Sequence, residues 1–267
     1  LNDVDVALYV ITFNSPKQFQ SLVESYMEQP GFIRDTVNYV INNSTDRSTD
    51  REYDNICDKY NFTQIKKDNI GICGGRQYVA EHFDESAHDL YIFLEDDMML
   101  KTKSDGLCKS GLAPHVDGLY HKVQQIIIKE GYDFLKFCFS EFYGSNETQW
   151  AWYNVPSNIR VKQFPDCPRL PRAGLASDPP KTKFNTIKVM DGLPYIDGEI
   201  YYCNWPQIVS RPGNKKMFLD SKWAHPHEQT WMSYMFQKSI QNELSSAVLL
   251  ASPVNHHRFE HYDKSIR

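Results

Sequence analysis

The stretch HDLYIFLEDDMML, His88 to Leu100, decides how the chain is read. Leu90-Tyr91-Ile92-Phe93-Leu94 is a short, continuous apolar run, the pattern of a strand buried on both faces. Three carboxylates follow at once: Glu95, Asp96 and Asp97. Adjacent negative charges repel one another, and desolvating any of them is costly. A divalent cation offsets that repulsion, and ligation by oxygen alone suits Mg²⁺ or Mn²⁺. The competing reading is a solvated turn whose acids cap the next helix or pair with Lys101 or Lys103.

Upstream of this stretch the pattern alternates. VALYVITF, Val6 to Phe13, reads as a buried strand. Ser15-Pro16 then opens a helix, with Ser as N-cap and Pro in the first turn. Phe19, Leu22, Val23, Tyr26 and Met27 fall on one face of it. TVNYVINN reads as a second strand, ended by the polar turn NNSTDRSTD. A weaker strand from Phe62 to Lys66 leads into DNIGICGGRQYVAEHF, a Gly-rich turn and a helix. Strands alternating with helices predict a parallel α/β sheet. In such sheets ligands bind beyond the carboxyl ends of the strands, where TFN, NNSTD and EDD all lie.

The second half is less regular. A helix is expected over residues 114–130, a strand in DFLKFCFSEF, a long loop over the proline-rich residues 156–182, and a helix from Glu228 to Ser239. The tail NHHRFEHYDKSIR is polar and histidine-rich. With 267 residues, 41% hydrophobic and 24% charged, the composition is that of an ordinary globular chain. The net charge of -5 argues against a mainly electrostatic nucleic-acid binder. Six scattered cysteines without a C-x-x-C pair disfavour a structural zinc site or a dense disulfide framework. No apolar run approaches the roughly 18 residues of a membrane span. A soluble domain, cytoplasmic by preference, is the expectation.

VITFN, INNSTD, NIGICGGRQ and YIFLEDDMML, in that order over residues 4–100, resemble the nucleotide-sugar-binding half of a GT-A glycosyltransferase of the family 2 type. That family has a TYN-like strand end, a VDDGSTD-like turn, an N-x-G-x-x-x-x-R-N helix start and an fLDdD strand end. The resemblance implies a single catalytic domain over residues 1–267. Its α/β fold would be Rossmann-like, a mixed, mostly parallel sheet flanked by helices. Residues 1–100 would bind the donor, and the irregular half, 101–267, the acceptor. The implied activity is metal-dependent transfer of a hexosyl or pentosyl group from a nucleotide-diphosphate sugar to an acceptor hydroxyl, by inverting single displacement.

The resemblance also implies roles. Asp97 would bind Mn²⁺ or Mg²⁺, and Glu95 or Asp96 would reach the ribose or the donor sugar. Thr12 and Asn14 would line the nucleoside pocket. Gly71, Gly74 and Gly75 would let the backbone approach the donor closely, and Arg76 would sit near the pyrophosphate or the sugar. Asn42 and Asn43 stand where the family usually has Asp, which leaves UDP against GDP open, with UDP favoured. In AHPHEQTW, a cluster with His225, His227 and Gln229, Glu228 would be the catalytic base at a helix start. Asp197 and Glu199 in YIDGEIYY are the reserve. His256 or His257 would complete the metal shell. The blander readings are helix-terminus charge for Glu228 and a solvated pair for the histidines. A metal-dependent hydrolase and a non-catalytic carbohydrate-binding protein are the alternative functions. The acceptor is left open among glycan, lipid, protein and modified nucleic acid.

Overall fold

The computed structural model describes residues 4–101, 112–139, 184–220 and 228–257. Val6–Thr12 forms β1, buried at every position. Strand side chains alternate, so Val6, Leu8 and Val10 enter one core while Ala7, Tyr9 and Ile11 enter another. A strand apolar on both sides belongs in the middle of a sheet covered on both faces. Accordingly β1 pairs in parallel with β2 (Val37–Asn42) and with β4 (Leu90–Glu95), and β3 (Phe62–Lys66) pairs in parallel outside β2.

The other side of the sheet comes from the second half of the chain. It contains β6 (Phe134–Lys136), β7 (Lys188–Met190), β8 (Leu193–Asp197), β9 (Gln207–Ser210) and β10 (Ser246–Leu249). Among the described residues the order is β3-β2-β1-β4-β9-β6-β10-β8-β7. Only β9 and β8 run against the rest, so the nine-stranded sheet is mixed and mostly parallel. Two further strands, β5 (Met98–Leu100) and β11 (Val254–His256), form a separate antiparallel ribbon.

Helices cover both faces. α1 (Pro16–Met27) buries Phe19, Leu22, Val23 and Tyr26 in the first core, as its periodicity predicts. Ser15 takes the N-cap position, but its side chain makes no capping bond. α2 (Asp50–Tyr60) follows the polar turn, where the sequence pattern suggested no helix. Its buried set is only Tyr53, Ile56 and Cys57, too few to register as a periodic face. α3 (Gly71–Glu85) begins at the first glycine, so the Gly-rich segment is the helix's opening and not a turn before it. A Cβ on Gly75 would lie 3.0 Å from Ile11 Cδ1 and 3.2 Å from Asn43 Nδ2, so a glycine lets α3 press onto the end of β1.

α4 (Leu119–Glu130) starts five residues later than the pattern suggests, after Gly118 in the left-handed region. α5 (Glu228–Ile240) agrees with the expected helix to within a residue. α1, α2 and α4 pack on the first core, whereas α3, the π-type turn Lys215–Leu219 and α5 pack on the second. Among the described residues no helix is long and apolar enough to cross a membrane. The expected 156–182 loop, His225, His227 and the tail beyond His257 lie outside the described residues.

Candidate active site

Register aligns the strand ends. Ile11 lies opposite Glu95 and Thr12 opposite Asn42, so β1, β2 and β4 finish on one line. The chains stay tied just past that line: Asn43 N–H donates to the Thr12 carbonyl at 3.0 Å and Asp96 N–H to that of Ile11 at 3.1 Å. Polar residues from three strands thereby share one edge.

Several of them are spent on holding that edge together. Asp96, buried, accepts from Thr12 Oγ1 at 2.6 Å and from Gln18 Nε2 at 2.7 Å. Burial pushes its carboxyl up to about 7; the Asp97 charge adds to this, and the Thr12 and Gln18 donors oppose it. The Tyr53 hydroxyl sits 2.7 Å from Thr12 Oγ1 and accepts from Ser15 N–H at 2.9 Å. Asn14, at φ 50°, accepts from the Thr45 and Asp46 N–H groups at 2.9 and 3.0 Å. Asn42 accepts from Ser44 N–H and donates to Gln64 Oε1, both at 3.0 Å. Asn43 differs. Its Nδ2 donates weakly to the Gly71 carbonyl at 3.4 Å, and its buried Oδ1 has no partner among the described residues.

Asp97 turns toward the ribbon. Pairing of Met98 with His256 sets the His256 Nε2 at 2.9 Å from Asp97 Oδ2, across 159 residues of sequence. The Asp97 carbonyl accepts from His257 N–H at 2.7 Å, so His257 contributes main chain here. Trp205 packs edge-on against the His256 ring, with centroids 5.6 Å apart. Asp97 Oδ1 is buried with no hydrogen-bond partner among the described residues. No cage of three or more His, Cys, Asp or Glu forms among those residues.

Glu95 shares a face with Tyr91 and Phe93 by strand alternation, the face covered by α3 and α5. Burial pushes its carboxyl well above the ordinary range, and the charges of Asp97, Glu228 and Asp96 push the same way. Glu228, in the first turn of α5, accepts from Asn204 Nδ2 at 2.9 Å. The acidic group here is thus centred on Glu95, which feels the charges of both Asp97, in the segment after β4, and Glu228, on α5.

Two expected residues are not brought to this group. Asp197 lies on β8, four strand spacings or about 20 Å from β4. It accepts from Tyr132 at 2.6 Å and pairs with Lys188 at 3.0 Å. Arg76 is wholly buried, its guanidinium 3.9 Å from the Phe93 ring centre and 4.5 Å from that of Phe218. Residues that sequence reasoning missed are Gln18, Tyr53, Tyr202 and Asn204. Gln18 carried a signal: it lies four residues before Leu22, a polar side chain on the apolar stripe of α1.

The described architecture matches solved structures. S. aureus TarS 1-349 in complex with UDP-GlcNAc superposes at TM-score 0.53 and 12% identity, over 97% of this chain and 60% of that one. The UDP complex of the same protein gives 0.53 and 12%, over 94% and 59%. The fold is that of a GT-A-like glycosyltransferase. The chain thus spans about three fifths of the length of these TarS structures. The mannosyltransferase PcManGT from Pyrobaculum calidifontis, in complex with GDP-Man and Mn²⁺, aligns only at TM-score 0.40, with 10% identity, over 56% of this chain and 37% of that one. No family profile matches the sequence. No curated protein matches it either. The aligned edge of β1, β2 and β4 lies at the carboxyl ends of parallel strands, the side on which open α/β sheets in general take ligands.

Proposed function

We propose that the protein is a metal-dependent glycosyltransferase that moves a sugar from a nucleotide-diphosphate donor to an acceptor hydroxyl. The observation that carries this is Asp97. It is a buried carboxylate with one oxygen against His256 and one without a partner, at the crevice of a glycosyltransferase fold. An oxygen and an imidazole suit Mn²⁺, and also Mg²⁺ less closely. Asp97 and His256 would hold the ion, the diphosphate supplying further oxygens. An ion held there would supply positive charge against the departing nucleoside diphosphate.

The chain's own groups supply the rest. Asn43 offers an unused acceptor to the nucleobase beside Thr12, on a wall held by Asn14, Asn42 and Asp96. UDP is favoured as donor nucleotide, in keeping with the UDP and UDP-GlcNAc complexes of the TarS structures; GDP is second. Glu95, at the end of β4, would reach the ribose or a sugar hydroxyl of the donor. Glu228 accepts the acceptor's proton as its oxygen attacks the anomeric carbon, giving inversion in one displacement. Gly75 keeps the start of α3 close to the strand ends, and Gly71 supplies the left-handed residue, φ 71°, at which the helix opens.

Thermal unfolding of the wild type and Asp97→Ala with UDP, GDP, CDP or dTDP, each with and without Mn²⁺, tests the proposal. A nucleotide at a hundred times its Kd stabilises by about 2.7 kcal/mol. Stabilisation by one nucleotide, only with Mn²⁺ and only in the wild type, is expected. No shift with any nucleotide would overturn the reading.

A further inference from the structure

A wholly buried arginine needs a partner for its charge, because an isolated buried cation is very costly. Among the described residues no carboxylate forms an ion pair with Arg76. Aromatic rings surround it, and two tyrosine hydroxyls accept its protons: Tyr91 from Nη1 at 3.1 Å and Tyr202 from Nε at 3.2 Å. The Tyr91 branch runs through Asn214 Oδ1, at 3.1 Å, and ends on the Ala80 carbonyl, 2.9 Å from Asn214 Nδ2. That branch anchors the guanidinium to α3.

The Tyr202 branch leads to the site. A phenol oxygen has one proton to give and two lone pairs to accept with. Tyr202 accepts from Arg76 Nε at 3.2 Å and from Gln207 Nε2 at 3.3 Å. Its proton therefore goes to Asn204 Oδ1, at 3.2 Å. With that oxygen fixed, the amide presents Nδ2 to Glu228 Oε1 at 2.9 Å. Every donor in the chain points from the cation toward the carboxylate, an arrangement in which each bond polarises the next. The ring under the guanidinium is Phe93, two residues before Glu95 on the same face of β4. The cage lies one pleat below the acidic group.

We infer that Arg76, Tyr202 and Asn204 are a relay of positioning residues that orients the Glu228 carboxylate and compensates its charge from beneath the sheet edge. The inference rests on Glu228 being the base of the proposed transferase. It gives Arg76 a role through Glu228 in place of contact with the pyrophosphate.

A double-mutant cycle with Tyr202→Phe and Glu228→Gln, read by urea unfolding without ligand, tests the relay independently of activity. Tyr202→Phe keeps the ring and removes only the hub hydroxyl. Loss of Tyr202's hydroxyl should shift the unfolding equilibrium at least fivefold more with Glu228 present than with Gln there. Additive effects would overturn the relay, active protein or not. In parallel, UDP-GlcNAc hydrolysis with Mn²⁺ is followed in Tyr202→Phe and Asn204→Ala. A fall in kcat of tenfold or more with donor KM within twofold is expected; unchanged kcat in both would overturn the positioning role. A wild type that neither binds nucleotide nor turns over would instead sink the proposed function, and the unfolding cycle would still judge the relay.

Discussion

Asp96 turns both carboxyl oxygens inward, to Thr12 and Gln18, whereas its neighbour Asp97 keeps one oxygen without a partner. Adjacent carboxylates thus divide into one that braces the crevice and one available to a ligand. The brace has a pH signature. In the folded chain the Asp96 carboxyl is pushed up to about 7, above its ordinary 3.8, so the native state holds a proton that the unfolded chain has released. The stability this contributes is full below the ordinary value and is lost as pH rises toward 7. We expect wild-type stability in metal-free urea melts to fall across that window, by at most about 4 kcal/mol from this group. Asp96→Asn should flatten the slope; an unaltered slope would contradict it. For Glu228→Gln, turnover should fall by about 10² to 10⁴. UDP-dependent stabilisation should persist, since the lost group handles a proton and not the donor. At this scale the sequence displayed the candidate acids and histidines. It could not display which lone pairs were already taken. Asn14, Asn42 and Asn43 look alike as letters, yet only Asn43 keeps a buried oxygen without a partner. Likewise His256 and His257 are indistinguishable until the register of β11 on β5 selects one ring.

At the scale of elements, legibility followed the length of the apolar pattern. β1, β4 and α1 each bury a long or periodic set and were readable. α2 shows only three buried positions, and β7, β9 and β11 are three or four residues long, shorter than a period-two pattern needs to be recognised. Close approach of backbones was invisible as well. A Cβ on Gly213 would lie 2.0 Å from the Asp133 carbonyl oxygen and 2.8 Å from its Cα, and main chain cannot rotate aside. Gly213→Ala should therefore lower stability by at least about 1–3 kcal/mol in thermal or urea melts. Gly192, at φ 76° with nothing within 4 Å, is the control: Gly192→Ala meets only left-handed strain, about 1–2 kcal/mol. Equal losses at both positions would argue against the contact at Gly213.

For the molecule as a whole, alternation in the first hundred residues made the parallel half of the sheet legible, and the resemblance supplied the glycosyltransferase fold. The order β4-β9-β6-β10 was not legible, because no local pattern states that a strand after residue 200 will slot between two earlier ones. The same long-range return delivers His256 to Asp97. Binding of UDP with Mn²⁺ should therefore slow amide hydrogen exchange most in residues 98–100 and 254–257, the small ribbon, and least in the already protected centre of β1. Uniform slowing would show that the ligand engages something other than this pair.

The ribbon also has a consequence for how the protein comes to be made. Its two strands flank more than half of the chain, so a ribosome releases the Asp97 segment long before it reaches His256. A growing polypeptide can complete β1 to β4 early, but Asp97 lacks its imidazole partner until every strand of the nine-stranded sheet has been translated. If Asp97 and His256 hold the donor's metal as proposed, donor capture is a late event in synthesis, and a product terminated before residue 256 is expected not to bind a nucleotide however well its first half folds.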